Sequence, residues 1–156
     1  VLFCVSDGAK KDKMNRLQLA VALVIFLAAH AFAQTDEEVL EIRRNLAQSC
    51  KEREGASDGD VEGLITAVEP VTRVQKCLQS CVQQQHGVSD GRRFLKEGYL
   101  ALMRVVVGTD QLRQRIVEEA ADECIGVENE DRCQLAIDIM VCVKQALQKR
   151  GLRSKE

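Results

Sequence analysis

Apolar residues recur along this chain at three- and four-residue intervals, while β-branched residues cluster only at Val105, Val106 and Val107. That spacing belongs to amphipathic helices, and Leu, Gln, Glu, Ala, Arg and Lys between the apolar positions favour helix as well. The acidic opening Thr35-Asp36-Glu37-Glu38 leads into a first helix, with Val39, Leu40, Ile42, Arg43 and Leu46 carrying it to about Arg53. Glycines at 55 and 59 break it, and a short helix over residues 60–68 stops before Pro70. Pro70 suits the first turn of the next helix. Its inward face is Val71, Val74, Leu78 and Val82 with Cys77 and Cys81, and it runs out at His86-Gly87.

Ser89-Asp90-Gly91 reads as a turn, and a fourth helix begins at Arg92 or at Gly98 and reaches Val107. Thr109 or Asp110 caps a fifth, whose Leu112, Ile116, Val117 and Ala120 lead to Cys124. Asn129-Glu130-Asp131 opens the last, which extends to Lys149-Arg150 before Gly151. Its middle is apolar nearly all round, the mark of a central helix. The expectation is an all-α domain of about six helices.

The amino-terminal region has a different pattern. Residues 19–29 form an apolar run of 11, preceded by Lys10, Lys11, Lys13 and Arg16 and followed by Ala31-Phe32-Ala33. A membrane-spanning helix needs about 20 apolar residues, so this run reads as a secretory signal with cleavage after Ala33. Met14 stands where such a signal would start. The expected division is residues 1–13 as upstream leader, 14–33 as signal peptide and 34–156 as the mature, extracellular domain.

Composition narrows the chemistry. From Gln34 onward 18 Lys and Arg face 22 Asp and Glu, a net charge of −4, with the basic pairs Arg43-Arg44 and Arg92-Arg93 interleaved among acids. A phosphate-tracking basic stripe is missing, which argues against nucleic acid as a partner. The sequence holds neither a G-x-S-x-G elbow nor a pair of histidines at helical spacing, and Glu118-Glu119 and Asp122-Glu123 fit a solvated helix face better than an acid–base pair. No enzyme activity and no cofactor are expected.

Seven cysteines are present, but Cys4 lies upstream of the signal, leaving Cys50, Cys77, Cys81, Cys124, Cys133 and Cys142 in the exported part. Six in an oxidising compartment suggest three disulfides. Zinc would need C-x-x-C-like spacing, which is missing, so no metal is expected. Cys133 and Cys142 lie on opposite faces of one helix, and Cys77 and Cys81 share a face one turn apart. Excluding those two pairs leaves ten of the 15 connectivities open.

The cysteine spacing resembles that of the insect odorant-binding and pheromone-binding proteins: Cys77-x3-Cys81 and Cys133-x8-Cys142 agree with the family pattern, as do eight residues from Cys124 to Cys133, the signal peptide and the mature length. The resemblance covers the chain from before Cys50 to beyond Cys142. It implies the pairs Cys50–Cys81, Cys77–Cys133 and Cys124–Cys142, and a shell of helices enclosing an apolar cavity that carries odorants, pheromones or related lipophilic molecules in sensory lymph. A sensory receptor is then a further partner, and the carrier is a monomer or homodimer with no stable membrane insertion.

Candidate lining residues are Val39, Leu46, Phe94, Tyr99, Leu102, Met103, Val106, Leu112, Ile116, Ile139, Met140 and Val143. Aromatics make up 3% of the chain and Trp is absent, so an aliphatic pocket suited to flexible alkyl or terpenoid ligands is expected, with Met103 and Met140 as adaptable walls. Tyr99, the only tyrosine, is the candidate hydrogen-bond donor to a ligand hydroxyl, ester or aldehyde. His86 is the candidate pH switch. Two alternatives share these features: the same carrier in haemolymph, saliva or reproductive fluid, and a solid disulfide-rich helical module that binds a protein or membrane surface.

Overall fold

Side-chain caps set four of the helix starts in the computed structural model, which describes the backbone of residues 36–152 and the side chains from Leu40 onward. The signal-peptide and cleavage expectations fall on residues outside that range, as does the Val39 side chain. Six helices follow in order among the described residues: α1 Asp36–Glu54, α2 Asp58–Ile65, α3 Arg73–Gln85, α4 Lys96–Val107, α5 Gln111–Glu123 and α6 Arg132–Lys149.

Ser57 caps α2 in a reciprocal box with Asp60, and Thr72 caps α3 in the same way with Gln75. Each box satisfies backbone N–H groups at the helix start that would otherwise lack partners. Asp110 and Asp131 do the same for α5 and α6, accepting from Arg113 N and Cys133 N at 3.0 Å. Ser57 pulls the start of α2 forward to Asp58, ahead of the expected position. Thr72 pulls the start of α3 back, so Pro70 lies in the connecting loop and Val71, expected on the inward face, is exposed.

Gly98 sits inside α4 and does not interrupt it. A Cβ there would lie 1.8 Å from the Gly87 carbonyl oxygen, so the glycine is the condition for α4 to cross the end of α3 at close approach. Asp90 holds the loop between them by accepting from the N–H groups of Arg92 and Arg93, each at 2.9 Å.

α6 packs against α3 and α5, α3 also holds α1 and α2, and α4 packs on α5. Three disulfides fasten this arrangement: Cys50–Cys81 joins α1 to α3, Cys77–Cys133 joins α3 to the start of α6, and Cys124–Cys142 joins the end of α5 to α6. Their sequence separations of 31, 56 and 18 residues each remove roughly 3–4 kcal/mol of unfolded-chain entropy in the loop-closure picture. The buried apolar residues fall into two groups. One, around Leu78, joins α1, α2 and α3; the other, around Leu135 and Ile139, joins α4, α5 and α6 with Val88 and Phe94. α6 is less enclosed than its sequence suggests, because Val141 faces solvent.

Candidate ligand-binding site

The second buried group continues outward into a cleft between α4 and α5, about 140 Å³ in volume and lined by Leu100, Met103, Arg104 and Val107 of α4 and Gln114, Val117 and Glu118 of α5. Each helix contributes positions three or four residues apart, which share one face. Leu100 and Val117 belong to the buried group itself, and Met103 and Val107 pack against it. The inner wall is therefore apolar. Arg104 and Glu118, both exposed, place opposite charges on the solvent side.

Tyr99 lies one turn before Met103 on α4, 6% exposed, with its ring 5.7 Å from that of Phe94. Its hydroxyl is buried without a hydrogen-bond partner. Burial pushes its pKa up to about 12, so the group stays protonated and able to donate. A buried hydroxyl that lacks a partner costs about 1–3 kcal/mol. A ligand carbonyl or hydroxyl reaching it would recover that cost.

The walls are braced by ion pairs. Lys96 of α4 reaches Asp122 of α5 at 2.5 Å, while Glu123 takes both Lys149 and Arg150, and Glu119 takes Arg150. These contacts hold the Glu123 carboxyl below its usual pKa, with the Lys149 hydrogen bond first among the causes. Pairs this exposed contribute little stability individually. They do account for the acidic face of α5 without assigning it acid–base work.

The expected lining residues divide into three sets. Met103 lines the cleft; Phe94, Tyr99, Ile139 and Val143 lie in the buried group beneath it, and Leu102 packs against that group. Ile116 and Met140 are half-buried, and Leu46 packs with the other group, around α1 and α3. Val106 and Leu112 face solvent at 43% and 67% exposure, because they sit on the last turn of α4 and the first of α5, where the hairpin ends. Neither forms a wall of this cleft. His86 ends α3, half-buried, with its pKa lowered by burial and then by Arg43; it is not among the cleft residues.

Leu100, Arg104, Val107, Gln114, Val117 and Glu118 complete the cleft although the sequence did not single them out as lining. The readable signal was their shared face: positions 100, 103, 104 and 107, and 114, 117 and 118. A search for apolar side chains alone passes over its polar members.

Comparison with known proteins agrees with this architecture. Residues 32–146 match the PBP/GOBP family. General odorant-binding protein 19d of Drosophila melanogaster is 30% identical over 113 residues, covering 71% of this chain and 75% of the relative. General odorant-binding protein 28a of the same species is 28% identical over 137 residues, covering 86% and 95%. The solved structure of the Drosophila odorant-binding protein 28a superimposes with a TM-score of 0.64 at 25% identity, over 76% of this chain and 99% of that one. The fatty acid binding protein OBP56a from the oral disk of the blowfly Phormia regina shares the fold, with a TM-score of 0.59 at 21% identity over 77% and 98%. With six helices and three disulfides among the described residues and a family match across most of its length, the chain belongs to the PBP/GOBP family of odorant-binding proteins, carriers of small ligands and not enzymes.

Proposed function

We propose that this protein is secreted into sensory lymph and there carries a small, mainly aliphatic molecule, held in the α4–α5 cleft with a polar atom reaching Tyr99. The observation that carries this reading is the continuity of the cleft with the buried group, since Leu100 and Val117 belong to both. An apolar molecule entering between Arg104 and Glu118 exchanges water for aliphatic wall, which gains about 25 cal/mol per Å² of apolar surface covered. At about 140 Å³ the cleft matches cavities that accept a benzene-sized guest. A longer ligand requires α4 to part from α5, and the unbranched Met103 side chain adapts to that. The basic residues, apolar run and small residues upstream of Gln34 support secretion.

The test is a titration with a fluorescent apolar probe, comparing the oxidised protein with Met103→Trp. Filling the cleft with an indole is expected to weaken probe binding by about tenfold or more, equivalent to roughly 1.4 kcal/mol. The chain has no other Trp, so the new fluorophore also reports whether α4 is folded. Undiminished probe affinity in a folded variant would contradict the proposed site.

A further inference from the structure

The far end of the α4–α5 hairpin exposes apolar side chains on both sides of its turn: Val105 and Val106 at 44% and 43% on the last turn of α4, and Leu112 at 67% on the first turn of α5. Isolated exposed apolar residues are ordinary. Here three fall within eight positions of the sequence, on the two helix turns that flank the hairpin's connection. The charges around them are biased as well. Between residues 104 and 115 stand Arg104, Arg113 and Arg115 against the single acid Asp110, a net charge of +2 in a chain whose total is −2. Asp110 pairs with Arg113 at 3.3 Å, and among the described residues neither Arg104 nor Arg115 has an ion-pair partner. The acids that follow on α5 begin at Glu118, beside Arg104 in the cleft, and Glu119 is held by Arg150.

We propose that this hairpin tip is a docking surface for an anionic lipid bilayer. Exposed apolar side chains at the same two helix ends as Arg104, Arg113 and Arg115 suit the boundary between acyl chains and phosphates: the valines and Leu112 enter the acyl edge while the arginines remain at headgroup level. The docking proposed is peripheral, through side chains at the helix ends; no helix among the described residues is long and apolar enough to cross a membrane. The same last turn of α4 supplies Arg104 and Val107 to the cleft, so the tip brings the cleft next to the lipid. An apolar molecule can then exchange between bilayer and carrier over a short path. Docking goes beyond the carrier reading and does not require the cleft to be filled.

Vesicle co-sedimentation tests it, using the secreted, oxidised protein with vesicles of phosphatidylcholine alone or with roughly one part in four phosphatidylserine. At low salt the protein is expected to bind the anionic vesicles about tenfold more tightly than the neutral ones, and raising salt to about 0.5 M should abolish the difference. Leu112→Asp and Arg115→Glu should each reduce anionic-vesicle binding about tenfold while leaving the thermal midpoint unchanged. Equal binding to both vesicle types overturns the proposal, as does wild-type binding by both variants. Self-association removed by Leu112→Asp without vesicle binding also overturns it, assigning the patch to a second copy of the chain. Apolar-probe uptake, measured in parallel, reads the cleft separately, so failure of docking and failure of the carrier reading are distinguishable.

Discussion

Replacing Tyr99 by Phe should make the empty protein more stable and its binding less selective. The ring packing against Phe94 is retained, so the change removes only a hydroxyl that is buried without a partner. Relief of that group is worth about 1–3 kcal/mol, and taking the low end of about 1 kcal/mol predicts a rise in thermal midpoint of roughly 3–5 °C for a domain of this size. The effect on ligands has the opposite sign. A hydrogen bond to an alcohol, ester or aldehyde contributes about 0.5–1.5 kcal/mol, so affinity for such ligands should fall roughly two- to tenfold while affinity for hydrocarbons of equal length holds. The pH dependence supplies a further check. An unfolded tyrosine ionises near pH 10 and the folded one near pH 12, so this group leaves stability independent of pH below about 10 and lowers it progressively between about 10 and 12. Phe lacks that loss. Thermal unfolding followed by circular dichroism, together with probe displacement by matched alcohol and alkane, measures both signs. A lower midpoint in the variant would refute the reasoning, because it would mean that the hydroxyl is already satisfied in the empty protein.

Three further substitutions test the frame that holds the site. Gly98→Ala adds an intrinsic helix preference worth about 1 kcal/mol but places a Cβ 1.8 Å from the Gly87 carbonyl oxygen. Urea unfolding should show a net loss of about 1–2 kcal/mol, and a gain would deny the close crossing of α3 and α4. Ala67 closes α2 at a φ of 58°, with Val68 N donating to Gly63 O at 2.8 Å; Ala67→Gly should stabilise by about 0.5–1 kcal/mol in the same assay. The lowered pKa of His86, from burial and then from Arg43, means that stability is intact above the unfolded value of about 6.5 and declines as the pH falls below it. His86→Gln should flatten that decline, and an unchanged profile would remove His86 as its source.

The fold was legible in the sequence because helix periodicity and cysteine spacing are local signals. The Gly151 stop and the end of α3 at His86-Gly87 were readable from neighbours in the chain, and Asp110 was one of the two α5 caps that the sequence left open. Pro70 was misplaced because proline favours a helix start anywhere in general, whereas the Thr72–Gln75 box fixed this particular start at Arg73, three residues later. Gly98 appeared to be a helix breaker because its reason for being glycine is Gly87, on another element. The cleft was only half visible. Apolar spacing identified Met103 and the buried residues beneath it, but it could not separate Leu112, left exposed where the hairpin ends, from residues that are covered. Arg104, Gln114 and Glu118 were invisible to a search for apolar walls, since only the pairing of α4 with α5 brings them to one opening.

The carrier account rests on an apolar molecule entering between α4 and α5, and the methionine methyl groups report on that directly. In the oxidised protein carrying ¹³C-methyl methionine, titration with a small aliphatic alcohol should shift the Met103 resonance saturably. Half-buried Met140, on α6 and outside the cleft lining, should move less. A Met103 signal that stays fixed, or drifts linearly without saturation, would contradict the account.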